Sequence, residues 1–400
     1  MFYLNKINNF VDIFIIKFYM RIAVNVRLLI KNKLDGIGNF TYETLKRITV
    51  LHPEHRFIFI FDRKFDEEFI FSDNIIPVVG FPPARHPFLW YLFFEVNIPL
   101  IFARYRPDIF LSPDGFLSLT TSVPSLPVVH DLNFIYYPEF LKSLHSKYYR
   151  YFFPRYIKKA TRIATVSEYS KNDIIKLYNV NSDRIDIVYN GANDKFRPLS
   201  EFEQQKIREK YTGGTPYFIF VGTIQPRKNI ANLIKAFNEF RISQSSNIKL
   251  MLVGSKKYID KEIEDAYDSS PYKSDIIFTD WLHFDELVKV MASAFALIYP
   301  SYFEGFGIPI LEAMYCDVPI ISSHTTSMPE VAGNAAYYVD PLSVDSIKNA
   351  MLRLFNDKSL RLQLIEKGRI QRTKFTWDKT ASLLWQSIEK CLADRYFNKR

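Results

Sequence analysis

The sequence predicts an α/β protein built from two doubly wound, Rossmann-like domains that face each other across a cleft. Three observations carry that prediction. The chain has 400 residues, more than one hydrophobic core holds and enough for two large ones. From Ile22 onward, short β-rich apolar runs alternate with longer helical ones, the signature of βαβ units and parallel sheets. Between two such series lies a polar, turn-rich break, Asn190-Gly191-Ala192-Asn193-Asp194-Lys195-Phe196-Arg197-Pro198.

In the first half, β-branched and aromatic runs place strands at 22–26, 57–61, 75–79, 109–111, 128–130, 163–166 and 185–188. Longer segments with helical spacing place helices at 40–50, 89–104, 144–160 and 168–177. In the second half, strands are expected at 217–221, 250–253, 276–278, 296–299, 319–321 and 337–339, with helices such as 230–241 and 284–294 between them. A last helix, 376–395, carries Trp377 and Trp385, which are suited to docking back on the first domain. The division is therefore an extension at 1–19, domains at 20–195 and 196–375, and a returning helix within 376–400. Two such domains in series suggest a ligand in the cleft, at the carboxyl ends of the strands.

In the extension, the apolar run 10–19 is broken by Asp12 and Lys17. It is too short to span a bilayer and lacks a small-residue cleavage site. Either it lies at a membrane interface, or Met20 is the natural start; the second reading is preferred.

At 48% hydrophobic and 24% charged, the chain is globular rather than disordered. A net charge of +9 favours anionic partners, such as nucleotide phosphates, lipid diphosphates, anionic membranes or nucleic acid, without choosing among them. Two cysteines, Cys316 and Cys391, give no disulfide framework and fit a reducing cytosol. No two of the seven histidines sit at metal-ligand spacing on a helix, and no Asp-x-Asp occurs. No metal and no cofactor are expected, so cationic side chains should take the phosphates.

The most telling stretch is Pro300-Ser301-Tyr302-Phe303-Glu304-Gly305-Phe306-Gly307-Ile308-Pro309-Ile310-Leu311-Glu312-Ala313-Met314. Strand, glycine turn and helix present free backbone N–H groups to an anion. Glu304 should lie in the loop and Glu312 one to two turns into the helix. Such a site suits a ligand with both a phosphate and hydroxyls, such as a nucleotide sugar. A second stretch, Gly222-Thr223-Ile224-Gln225-Pro226-Arg227-Lys228-Asn229, again joins a strand to a helix. Arg227 and Lys228 should project above the strand ends, where they can neutralise a diphosphate. A third, Asp35-Gly36-Ile37-Gly38-Asn39, follows the first strand, and Gly36 and Gly38 let backbone approach a phosphate or sugar. His130, in Val128-Val129-His130-Asp131, should face the cleft at a strand end. Ser167, in Thr165-Val166-Ser167-Glu168, reads as a helix N-cap.

These stretches, in this order, resemble retaining glycosyltransferases of family 4, which have the GT-B fold. The Glu304–Glu312 element is similar to the family's E-x7-E motif, and Gly222–Asn229 to its G-T-x-x-P-R-K-N element. The Gly36–Gly38 loop resembles G-G-I-G-R-Y, with Asp35 and Asn39 as departures. Thr223 stands where some members carry an arginine, which leaves the phosphate work to Arg227 and Lys228. The resemblance spans about residues 20–395.

The resemblance implies that domain 20–195 binds the acceptor and domain 196–375 the nucleotide sugar. It implies catalytic roles for Arg227, Lys228, Glu304 and His130, the last as a contact to the donor sugar. It implies donor binding by Gly36, Gly38, Gly222, Gly305, Phe306, Gly307 and Glu312, and by Leu282, which follows Thr279-Asp280-Trp281 beside the base. Glu330, in Ser327-Met328-Pro329-Glu330, also matches and reads as a supporting residue. The expected reaction moves a hexose, mannose favoured, to a saccharide or lipid-linked saccharide in cell-surface polysaccharide assembly. Mixed aromatic and cationic runs at 87–94 and 147–153 suit a membrane-facing acceptor surface or ordinary core helices. The expected location is the cytoplasm, with peripheral contact on the inner face of the cytoplasmic membrane as an option. Two rivals stand beside this reading. One is a nucleotide-sugar 2-epimerase of the same fold. The other is a non-enzymatic nucleic-acid binder, which the even spread of basic residues disfavours.

Overall fold

The computed structural model, which describes residues 19–256 and 258–397, contains two all-parallel sheets. The first is built from β1 (Arg21–Asn25), β2 (Arg56–Phe61), β3 (Ile75–Val79), β4 (Ile109–Ser112), β5 (Ser125–Val129), β6 (Ile163–Thr165) and β7 (Ile185–Ile187). Its order is β3-β2-β1-β4-β5-β6-β7. The second is built from β8 (Tyr217–Val221), β9 (Lys249–Val253), β10 (Ile276–Asp280), β11 (Ala296–Tyr299), β12 (Ile320–Ser323) and β13 (Ala336–Val339), in the order β10-β9-β8-β11-β12-β13. Strands buried on both faces read as unbroken apolar runs, as in the wholly buried Tyr217–Val221 and Ala296–Tyr299.

Each sheet winds outward in both directions from one pair of strands. In the first the chain reverses between β1 and β4, in the second between β8 and β11. A crevice opens at such a reversal, outside the carboxyl ends of the strands. The glycine loop follows β1. The Arg227–Lys228 stretch follows β8 and the Glu304 loop follows β11. The sequence motifs therefore sit at the two reversal points. No strand or helix occupies 190–198, between the sheets.

Helix Trp377–Phe397 returns to the first sheet's side. Trp385 stacks on His52 with ring centroids 3.5 Å apart, and Trp377 meets Phe40 edge-on at 6.4 Å. Among the described residues, no helix is long and apolar enough to cross a membrane. The expected extension, save Tyr19, lies outside them.

Three local expectations are corrected. The single helix at 89–104 is instead Pro87–Leu92, a π-helical turn Phe93–Asn97, and Ile98–Tyr105. Pro99 has no N–H and its ring crowds the preceding turn, so the helix widens just before it. Gly36 and Gly38 are not an open loop but the first turn of helix Gly36–Leu51, because Asp35 caps it. The strand placed at 128–130 is Ser125–Val129, which leaves His130 just beyond its end. Helices at Glu201–Thr212, Val344–Asn356 and Lys358–Gln371 were not among those singled out in the sequence.

Candidate active site

β8 ends at Gly222, with φ +150°. The next strand over, β9, ends at Gly254, where a Cβ would stand 1.9 Å from the Gly222 carbonyl oxygen. Glycine at both ends lets these backbones touch. Gly254 escaped the sequence reading, although its place directly after an apolar run was a signal. After Gly222 the chain makes one 3-10 turn, Pro226–Lys228, and Asn229 takes the left-handed conformation that starts helix Ile230–Ser243. Asn229 Nδ2 donates to the carbonyls of Pro300 at 3.0 Å and Pro341 at 2.6 Å. Tyr302 N donates to Arg227 O at 3.0 Å. The loops after β8 and β11 are thus pinned to each other.

That pinning brings three sequence-selected residues together. Glu304 is buried, and its Oε1 lies 2.5 Å from Lys228 Nζ and its Oε2 3.1 Å from Arg227 Nη1. Arg227 also donates to Phe303 O, and Lys228 to the Tyr299 hydroxyl at 3.1 Å. Burial pushes the Glu304 carboxyl up, but Lys228 and Arg227 outweigh it and hold the group at about 2. Burial lowers Lys228 to about 8; Arg227 pushes the same way and Glu304 opposes in part. Burial also opposes the Arg227 charge, while Glu304 and Asp131 favour it and the net shift is upward. Two buried cations therefore share one strongly acidic carboxylate, so the three side chains alone carry one positive charge in excess, with Asp131 of the first half as a further negative charge acting on both cations.

Hydroxyls from the segment after β12 shape the Glu304 loop. Ser327 Oγ donates to the carbonyls of Glu304 at 2.9 Å and Phe306 at 3.1 Å, and Thr326 Oγ1 accepts from Glu304 N at 3.2 Å. The amides of Gly305, Phe306 and Gly307 have no acceptor among the described residues. They lead into helix Ile308–Tyr315, whose N-cap Gly307 has φ +97° and no side-chain cap. This is an anion-ready helix start. Glu312 lies half-buried on that helix, and its carboxyl group makes no hydrogen bond or ion pair among the described residues. Burial pushes its carboxyl up to about 8.

From the first sheet, His130 stands beyond β5. Its Nε2 lies 2.8 Å from Pro113 O and its ring meets Phe40 edge-on at 5.0 Å. Burial lowers its pKa, so the ring is neutral with the proton on Nε2. The two halves of the cleft touch here. A Cβ at Gly305 would stand 2.1 Å from His130 O. Ser167 Oγ donates to Gly305 O at 2.7 Å. The Glu330 carboxylate accepts from the amides of Glu168 at 2.8 Å and Tyr169 at 3.2 Å, capping a helix of the other half. Ser167 is the N-cap the sequence suggested, and it also bridges the cleft.

The glycine loop departs from its expected chemistry. Gly38 N is already bonded to Asp35 Oδ1 at 2.8 Å, so that amide is not open to a donor phosphate. Gly36 faces open space. Leu282 packs half-buried beyond the end of β10, at the edge of the second sheet, with Trp281 exposed beside it. Asp131 was passed over in favour of His130. Its Cβ would lie 2.8 Å from a Cβ on Gly305, and its charge is felt by Arg227 and Lys228. One group of three residues, His52, Glu54 and His55, is spaced to share a cation, but it lies against Trp385 and away from these loops.

Residues 34–196 match the family model Glycosyltransferase Family 4, and residues 201–371 match Glycosyl transferases group 1. O-antigen chain mannosyltransferase B of Escherichia coli is 28% identical over 368 residues, covering 87% of this chain and 94% of that protein. O-antigen chain mannosyltransferase RfbU of Salmonella typhimurium is 34% identical over 223 residues, 56% of this chain and 58% of that one. Among solved structures, sucrose-phosphate synthase from Thermosynechococcus elongatus superposes with a TM-score of 0.76 at 16% identity, over 94% of this chain and 99% of that one. Anabaena Alr3699/HepE in complex with UDP and glucose gives 0.73 at 14% identity, over 93% and 100%. With both halves matched and the two facing crevices on the page, the chain belongs to the family 4 glycosyltransferases and has their GT-B fold.

Proposed function

We propose that this glycosyltransferase moves a hexose, mannose favoured, from a nucleoside-diphosphate sugar to a saccharide or lipid-linked saccharide, with retention of configuration and without a metal. The observation that supports it most is the burial of Arg227 and Lys228 on one carboxylate beneath the open amides of Gly305–Gly307. Buried cations in excess of their counter-charge favour an anionic ligand, and a diphosphate supplies it. The Escherichia coli and Salmonella relatives named for O-antigen mannose transfer support the choice of sugar and a role in surface-polysaccharide assembly.

In this reading the diphosphate sits on Arg227, Lys228 and the helix start at Gly307. Glu312 accepts the ribose hydroxyls, with Leu282 and Gly222 beside the nucleoside. Glu304, relieved of part of its charge pairing, accepts donor-sugar hydroxyls together with the loop amides and His130. The bond from the sugar C1 to phosphate oxygen breaks. A bond from C1 to the acceptor oxygen forms on the same face, and the acceptor proton leaves on the diphosphate. Charge develops on the departing phosphate, where the two cations already stand, an effect worth several kcal/mol. Closure about 190–198 excludes water.

A lipid-linked acceptor has a matching surface. Helix Ser143–Lys159 carries five cations and no acid, with Leu144, Lys147, Tyr151, Arg155 and Lys158 along its outer face. Phe88 and Tyr91 are exposed on the neighbouring helix, while Trp90, Phe93 and Phe94 are core. Exposed aromatics among cations suit an anionic bilayer, which supports the membrane-facing reading for Phe88, Tyr91 and Tyr151, while the burial of Trp90, Phe93 and Phe94 fits core helices.

The test is incubation with GDP-mannose and UDP-hexoses, with and without chelator, on lipid-linked oligosaccharide acceptors. The expected product keeps the donor's anomeric configuration by NMR and forms equally with chelator. Failure of every donor to be hydrolysed or transferred refutes the reading. An epimerised donor without acceptor replaces it with the epimerase.

A further inference from the structure

Phe303, directly before Glu304, is 3% exposed, yet it packs in neither of the two apolar cores. Its ring partners among the described residues are three tyrosines of the first half. Tyr136 lies tilted against it at a centroid distance of 5.3 Å. Tyr169 at 5.7 Å and Tyr137 at 6.1 Å meet it edge-on. Tyr136 ends the short helix Asn133–Tyr136, and Tyr137 follows it. Tyr169 lies in the first turn of helix Glu168–Tyr178. A side chain of the second half is therefore seated in a socket built by the first.

The socket is itself braced. The Tyr136 hydroxyl donates to Oδ1 of Asp173, a buried residue on Tyr169's own helix. Tyr137 stacks on Phe140 with centroids 5.3 Å apart and 4° between planes. Tyr136 is exposed, and Tyr137 and Tyr169 are half-buried. Tyrosine suits such a place, because its ring grips an apolar side chain while its hydroxyl stays wet. The Phe303 ring has no polar group to satisfy. It is covered only while the halves meet, and parting them bares it to water.

What this seat holds is one of the two buried cations. Arg227 Nη1 has two acceptors on consecutive residues, the Phe303 carbonyl and Glu304 Oε2 at 3.1 Å. On the other side, Tyr302 is tied within the second half, to Arg227 O through its amide and to Thr325 Oγ1 through its carbonyl. The peptide that joins Phe303 to Glu304 therefore carries Arg227, and the Phe303 ring fixes that peptide against the first half. The Arg227 charge also acts on the Tyr137 hydroxyl, so cation and socket adjoin.

We infer that Phe303 is a positioning residue: seated among Tyr136, Tyr137 and Tyr169, it sets the Phe303 carbonyl and the Glu304 carboxylate that orient Arg227, so that the cation is aligned only while the halves are together. The inference rests on the transferase function proposed above and adds how contact between the halves reaches the phosphate cation. A misplacement of about 1 Å at such a group costs on the order of 100-fold in rate. The nucleotide keeps its second-half partners meanwhile, so the loss falls on turnover rather than on binding.

The experiment is steady-state kinetics with the donor and acceptor that react in the test above, alongside calorimetry of the nucleoside diphosphate. Phe303→Ala should lower kcat about 100-fold and leave the diphosphate Kd within about threefold, which also shows that the site folds. Phe303→Leu, which refills the seat with apolar volume, should recover about tenfold of that loss. Tyr169→Ala alone should lower kcat about tenfold, and adding it to Phe303→Ala should cost less than about threefold more, because an empty socket has nothing left to hold. A Phe303→Ala enzyme with kcat near that of wild type overturns the inference. So does a loss shared equally by kcat and diphosphate affinity, since Phe303 would then only support the loop. A double variant whose losses multiply overturns it too, for the two rings would act separately. A wild type that transfers from no donor refutes the transferase reading, and the role of Phe303 falls with it, whereas an active wild type matched by Phe303→Ala refutes this inference alone.

Discussion

Glu304→Gln tests whether the buried cations are held ready for an anionic ligand. Glutamine keeps the shape of the side chain and removes the only carboxylate bonded to Lys228 and Arg227 among the described residues. Removing one partner of a buried ion pair costs roughly 3–5 kcal/mol. The cleft lets water reach part of the site, so the lower end, about 3 kcal/mol, is expected. At about 2–4 °C per kcal/mol for a chain of this class, the thermal midpoint should fall by roughly 6–12 °C. The pH dependence follows from Lys228. Its folded pKa, about 8, lies below the unfolded value, so stability is lowest at low pH and recovers as pH rises through the folded value toward 10.5. Without Glu304 the folded value drops further, so recovery begins at lower pH. Diphosphate binding moves the opposite way. At an effective dielectric of about 20, a carboxylate about 6 Å from a phosphate repels it by roughly 3 kcal/mol, which partial hydration halves. The variant should therefore bind GDP or UDP about tenfold more tightly while losing sugar transfer. Guanidinium unfolding at pH 6 and 8, with calorimetric titration of the nucleotide, reads both effects. Unchanged stability together with equal or weaker diphosphate binding would sink the argument, for Glu304 would then not be the counter-ion that the ligand displaces.

Glu312→Gln should leave nucleotide binding weaker by about tenfold or more and flatten its pH dependence. In the wild type the folded pKa is raised from 4.5 to about 8, so ionising the group costs stability as pH rises from 4.5 through 8. Unfolding from pH 5 to 9 should therefore show the variant gaining on the wild type by about 2 kcal/mol at the alkaline end, allowing for the partial exposure of the side chain; a parallel pair of curves contradicts this. Gly305→Ala places a Cβ against His130 O, a backbone atom that cannot step aside. Transfer should fall about 100-fold as the halves are held apart, with a larger radius of gyration by X-ray scattering; an unchanged radius points elsewhere. Glu330→Ala uncaps the helix that begins at Glu168. Closure should weaken by about 0.5–2 kcal/mol, seen as a raised KM for the sugar nucleotide and faster amide exchange at Glu168 and Tyr169. Slow exchange at both positions would show that closure does not depend on this cap.

The parts of the fold legible in the sequence are those whose cause is local. β8 and β11 were read to the residue because strands covered on both faces must be apolar throughout, and polar residues end them abruptly. The helix start at Gly307 is legible for a local reason too: a glycine followed two residues later by a proline, Gly307-Ile308-Pro309, suits the N-cap and first turn of one helix. The long helix at 89–104 was misread because Glu95 to Asn97 have ordinary helical character. The widened turn answers to Pro99, and spacing alone does not reveal where the ring presses. The glycine loop failed through a competing acceptor. Asp35 is as close to Gly38 N as any phosphate could be, and it arrives with the chain rather than with a ligand.

The site's residue types were legible and their pairing was not. Arg227 and Glu304 are 77 positions apart, and they meet only because β8 and β11 are neighbours at the reversal of the second sheet. Strand order is a property of the whole sheet, and no pattern within either loop encodes it. The consequence is chemical as well as geometric. Two lysine or arginine side chains in separate solvated loops would each stand near its ordinary pKa and hold little energy for a ligand. Pinned by Asn229 and buried on one carboxylate, the same groups form a cationic site suited to the diphosphate proposed above. The same reasoning explains why Asp131 was passed over. Beside His130 it reads as half of a local pair, and its importance appears only when Gly305 of the other half arrives against it. Contact between the two halves places the Asp131 carboxylate where it acts on the Arg227 and Lys228 cations. A variant that keeps both loops intact but holds the halves apart should therefore bind nucleotide and fail to transfer, as Gly305→Ala is expected to do.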